Sequence, residues 1–184
     1  VGLPGENGGW LKSLGMALRT MVSPNRLEEE IELNVISAPD APPCKKIAKG
    51  ILVDSGAGAT CADGDDFPEY AREVSAGSRR GQEFVGPGQE TMANRGQKKV
   101  GIVNESGLHS TIAFQDVKVR RPILAVSDSV KANNLNLFIP EGAVIMPGSL
   151  PESKAIMKLI QQAKTKVQLQ LEGGVYVMPA WVKI

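Results

Sequence analysis

Asp54 is the residue in this chain best placed to do chemistry. It follows three apolar residues, Ile51, Leu52 and Val53, and precedes Ser55, Gly56 and Ala57. A carboxylate at the end of a buried apolar strand is costly unless it has partners. Gly56 permits a tight turn and close backbone approach. The Ser55 hydroxyl can lock the loop by hydrogen bonding. These are the needs of a carboxylate held rigidly at a catalytic centre. The same tripeptide also makes plain turns, because Asp and Ser bond nearby backbone groups and Gly accepts positive φ. Asp63, Asp65 and Asp66 follow soon after, but in a polar run that reads as a solvated loop. Ser55 has no His pattern that would make it a nucleophile. His109, beside a turn, reads as an exposed or strand-edge residue. Cys44 and Cys61 lack the spacing of a metal knuckle or a redox pair, and His109 alone cannot complete a zinc site. No cofactor and no metal are therefore expected, and two free thiols are the expectation for a reducing compartment, with a disulfide the alternative for an exported chain.

The elements that must hold Asp54 are mostly short strands. Residues 47–53 read as a strand that turns wholly apolar before Asp54. Residues 100–103 and 111–114 read as a hairpin joined through Asn104, Glu105, Ser106 and Gly107. Residues 117–126 read as a further strand, interrupted by Pro122. Ser127 is placed to cap a short helix over 127–132. Leu135, Leu137 and Ile139 alternate, and Glu141-Gly142 turns into residues 143–146. Residues 153–164 form the clearest helix pattern, with Ile156, Leu159, Ile160 and Ala163 on one stripe. Residues 167–171 and 175–177 read as a last hairpin around Gly173-Gly174. Ahead of Asp54, Leu11, Leu14, Leu18 and Met21 suggest a short helix over 10–21, and Ile31, Leu33 and Val35 a strand. Pro39, Pro42 and Pro43 make a stiff connection. The expected organisation is an N-terminal arm or linker over 1–30 and one domain over 31–184 with its core in 47–146.

Bulk properties bound the class. At 184 residues and 42% hydrophobic, the chain can bury a core without disulfides or metals. Lys plus Arg is 21 against 20 Asp plus Glu, a net charge of +1. That balance gives no reason to expect a nucleic-acid partner. No run of eighteen apolar residues suggests a membrane span. The opening residue, Val1, reads as the start of a fragment or processed piece, and the Gly-rich start lacks the basic and apolar regions of a signal peptide. An intracellular location is expected.

Ile51-Leu52-Val53-Asp54-Ser55-Gly56-Ala57 resembles the active-site signature of retroviral-type aspartic proteases, the retropepsins. The chain looks like the protease segment of retrotransposon polyproteins, copia-like elements included. The resemblance runs over residues 47–146 and more weakly to the end. In that family a glycine-rich hairpin flap follows the signature; here residues 84–92 occupy its place, with Gly86, Pro87, Gly88 and Met92 as candidate substrate contacts. An apolar strand and a short helix come later; residues 119–130 look like that element, with Ala125 where retroviral members usually carry Gly. The N-terminal helix has no counterpart there.

The resemblance implies a mainly β fold, a small closed or partly closed β-barrel of the single-lobed acid-protease type with one or two short helices. It implies an aspartic endopeptidase with Asp54 as the catalytic acid and Ser55, Gly56 and Ala57 supporting its loop. Since the chain holds one such motif and the chemistry uses two carboxylates, it implies a homodimer, acting on a peptide or polyprotein substrate. The alternatives are an inactive domain of the same fold serving dimerisation or peptide binding, and an unrelated β-barrel in which Asp-Ser-Gly is a turn.

Overall fold

Short apolar runs broken by turn residues favour small sheets joined by tight connections. The computed structural model describes residues 19–20, 44–48, 50–104, 107 and 109–180, and they are mainly β. In chain order the described elements are β1 (Arg19–Thr20), β2 (Leu52–Asp54), β3 (Cys61–Ala62), α1 (Ala76–Arg79), β4 (Glu83–Val85), β5 (Thr91–Ala93), β6 (Gln97–Val103) and β7 (His109–Asp116). There follow β8 (Ile123–Ala125), α2 (Val126–Lys131), β9 (Asn134–Ile139), β10 (Gly142–Pro147), α3 (Pro151–Gln162), β11 (Gln170–Glu172) and β12 (Val175–Val177).

The central sheet has the order β2-β8-β3-β7-β6. β2 runs parallel to β8 and β3 parallel to β7, while β8 and β3, and β7 and β6, are antiparallel. Successive residues of a strand face opposite sides. Cys61 and Ile123 thus join Ala57, Ala59, Phe84, Val117 and Ala125 in one buried cluster. Ala62 and Leu124 join Phe67, Val100, Ile112 and Phe114 in another. Burial on both faces explains why β8 is wholly apolar and wholly buried. The Phe67 and Phe114 rings pack at 5.1 Å between centroids. The other described sheets are β1-β4-β5, β9-β10 and β11-β12.

Several expectations need correction. The described strands do not close into a barrel: among them the central sheet ends at β2 and β6, and the remaining strands form sheets of their own. The strand expected over 47–53 is Leu52–Asp54, because Gly50, at φ 62°, closes a turn onto the Ile47 carbonyl. The strand expected over 117–126 shrinks to Ile123–Ala125, behind exposed Arg120 and Arg121. Ser127 does not cap α2; the helix starts at Val126 with Ala125 at its N-cap, and Ser127 is buried inside it. The helix expected over 153–164 begins at Pro151, since proline is suited to a first turn, and ends at Gln162. The described helices number three, because α1, capped reciprocally by Ser75 and Ser78, went unread. Arg19 and Thr20 pair as a strand with Val85 and Phe84 rather than continuing a helix. The rest of the helix over 10–21, the strand over 31–35 and the prolines at 39–43 lie outside the described residues, as do Glu105 and Ser106.

Candidate active site

Asp54 is the last residue of β2, at an edge of the central sheet, rather than a loop residue beyond it. The Leu52 N–H bonds the Pro122 carbonyl, and Leu52, Val53 and Asp54 align with Ile123, Leu124 and Ala125. The carboxylate is fixed by its own turn: the Gly56 N–H donates to Asp54 Oδ1 at 2.7 Å. Asp54 Oδ2 is buried with no hydrogen-bond partner among the described residues. Ser55 is exposed, while the chain from Ala57 to Ala62 goes inside.

The far end of this loop is pinned at Thr60. Its N–H donates to Asp128 Oδ2 at 2.8 Å, its hydroxyl accepts from the Ala125 N–H at 3.1 Å, and its carbonyl accepts from the Gln115 N–H at 3.0 Å. One residue thereby ties the loop to α2, β8 and β7. Asp128, 8% exposed, also ion-pairs with Lys131 at 3.6 Å. Cys61 lies just beyond. Burial, then the Asp128 and Asp54 carboxylates, push its thiol up to about 12, so it stays protonated at neutral pH and is no nucleophile.

Ile123, Ala125 and Ala57 form the floor under the loop, and Phe84 of β4 shares that cluster, with Met92 of β5 packed against it. The hairpin expected over 84–92 is Glu83–Ala93, and it meets the same cluster as the Asp54 loop. At its tip Pro87 and Gly88 are exposed and Gly86 is buried; Gly86 donates its N–H to the Glu90 carbonyl at 2.8 Å.

Behind the site lies a charge network absent from the sequence reading. Asp116, 2% exposed, accepts from Arg95 Nε and Nη2 at 3.1 and 2.6 Å. Arg72 ion-pairs with the other Asp116 oxygen without an aligned hydrogen bond. Asp63, expected as part of a solvated loop, reaches Arg95 at 3.5 Å. Burial works against the Arg95 charge, but bonding to Asp116, with Asp63 adding, holds its pKa above the ordinary value. Lys98 is buried as well, donating to the Gly64 and Phe67 carbonyls at 2.6 and 2.8 Å. These contacts brace the 63–67 loop against β6 and β7 and present no reacting group.

The structure thus gathers Asp54, Ser55, Gly56 and Ala57 at one point and anchors Met92 nearby. His109 opens β7 opposite Val103, apart from this constellation. Thr60 and Asp128 were missed. Thr60 lies six positions after Asp54, a local hint; Asp128 is distant in the chain and gave no signal of its own. No group of three His, Cys, Asp or Glu able to hold a metal occurs among the described residues. No helix among them is long and apolar enough to cross a membrane. Compared with known proteins, the chain matches no family model, no curated protein and no solved structure.

Proposed function

We propose that this chain is an aspartic endopeptidase of the retropepsin type, working as a homodimer with one Asp54 from each chain and cutting a polyprotein of retrotransposon kind. The observation that carries the reading is the state of the Asp54 carboxylate. Oδ1 is held by the Gly56 N–H; Oδ2 is buried and lacks a donor among the described residues. A buried acceptor left bare costs about 1–3 kcal/mol, more when charged. A protonated Asp54 from a second copy would supply the missing donor. Two carboxylates brought so close would repel if both were charged, which favours a proton shared between them. Among the described residues β2 lies at an edge of the sheet with Val53 and Ser55 exposed, which supports the approach of a second copy there.

The chemistry follows from that shared proton. The ionised carboxylate takes a proton from a water lying between the two, as the water oxygen bonds the scissile carbonyl carbon. The protonated carboxyl donates to the carbonyl oxygen. The tetrahedral adduct collapses as a proton passes to the amide nitrogen and the C–N bond breaks. The Glu83–Ala93 hairpin would act as the lid that excludes water, its glycines lowering the cost of opening.

Incubating the purified chain with a peptide library in mildly acidic buffer tests the reading. Cleavage should occur, survive chelators and disappear in Asp54→Asn, whose amide is nearly isosteric. Cleavage that persists in a clean Asp54→Asn preparation would refute the assignment; a wild-type dimer that cuts nothing at any pH would leave an inactive binding module.

A further inference from the structure

The hairpin tip carries a carboxylate on the face that packs toward the Asp54 loop. Phe84 pairs with Met92 and Val85 with Thr91, and the Gly86 N–H bond to the Glu90 carbonyl continues that register. Side chains alternate across a strand pair, so Phe84, Gly86, Met92 and Glu90 share one face. Phe84 and Met92 show which face it is: they pack on the cluster of Ala57, Ala59 and Cys61. Glu90 does not point away from the tip. Its carboxylate folds across onto Gly86, where a Cβ would collide with Oε1, and a Cβ on Gly88 would stand 2.8 Å from Oε2. Glu90 is exposed, and glycine at both positions leaves room for its carboxylate to lie across the tip. Glu83 is the other charged residue of the hairpin, and alternation puts it on the opposite face. No Lys or Arg among the described residues pairs with Glu90.

We propose that Glu90 is a specificity-determining residue that selects peptides carrying Lys or Arg at one position facing the hairpin tip. The inference rests on the endopeptidase reading above. A peptide lying between the tip and Asp54 would meet the Glu90 carboxylate, which no Lys or Arg of the described residues neutralises. An ammonium donates to it as a point charge, and a guanidinium can bond both of its oxygens. A lid that excludes water weakens the screening of that pair.

The test is a cleavage profile of the full chain on a peptide library, with wild type, Glu90→Gln and Glu90→Lys each read as a ratio of kcat/KM for charged over neutral residues at every position. Wild type should prefer Lys and Arg at one position by about two- to fivefold, the scale of a partly screened ion pair. Glu90→Gln should lose that preference, and Glu90→Lys should turn it toward Asp and Glu at the same position. The wild-type preference should also shrink as salt is raised. A basic preference that survives Glu90→Gln, or a wild type that cuts basic and neutral peptides alike, overturns the inference and leaves the endopeptidase reading standing. A wild type that cuts no peptide removes both.

Discussion

Asp54 is held from its own turn, but the loop that carries it is held from Thr60. The Asp128 carboxylate receives the buried Thr60 N–H, so Asp128→Ala leaves that donor without its acceptor. A loss of about 1–3 kcal/mol is expected in chemical denaturation. Asp54→Asn should cost less, since its turn geometry can persist. Cys61 gives a second residue-scale prediction. Its thiol is raised from an ordinary 9.0 to about 12 in the folded chain. Between those values the unfolded chain has released the proton and the folded chain has kept it. Stability should therefore fall as pH rises through that window, by up to ~1.4 kcal/mol per pH unit. Comparing denaturation of wild type and Cys61→Ala across it isolates the contribution; identical slopes would contradict the burial argument. At neutral pH a thiol reagent should modify exposed Cys44 quickly and Cys61 only on unfolding. Asp54, Ser55, Gly56 and Ala57 were legible because their chemistry is local: a carboxylate, its turn and the strand before it are contiguous. The Thr60–Asp128 bond spans 68 residues. No local pattern says which acid reaches which N–H.

At the scale of elements, β8 is the piece that sets the site. Ala125 is fully buried, aligned with Asp54, and donates its N–H to the Thr60 hydroxyl. Ala125→Leu should overpack this junction and cost about 1–3 kcal/mol, read as a lower denaturation midpoint; an unchanged midpoint would count against the packing described. The β11–β12 hairpin reaches the same loop from the far end of the chain. Gly174 at its turn has φ 88°, and a Cβ there would stand 2.7 Å from the Gly58 carbonyl oxygen. Gly174→Ala should therefore be strained twice, by conformation and by contact, and should lift the hairpin from the loop. Faster amide exchange across residues 170–177 would show it. The hairpins β6–β7, β9–β10 and β11–β12 and the helix α3 could be read from alternation, helical spacing and turn residues. The short strands could not be bounded that way. β3 and β8 are two and three residues long, and their pairing is set by partners far along the chain. Barrel closure is a long-range property too, and the resemblance led to an expectation that the described strands do not meet.

At the scale of the whole molecule, the proposed site depends on the association of two copies. On the proposed reading, Asp54, whose Oδ2 has no hydrogen-bond partner among the described residues, would complete a carboxylate pair when two copies meet, so specific activity should fall on dilution as dimers separate. The most direct measurement is a mixing experiment. Wild type and Asp54→Asn are combined in equal amounts, allowed to exchange partners, and assayed at fixed total protein. If each site needs one Asp54 from each chain, random pairing leaves wild-type dimers as about a quarter of the total, and activity should fall to about a quarter of that of wild type alone. Activity that stays at about half would mean that each chain works by itself, and would contradict the two-chain site.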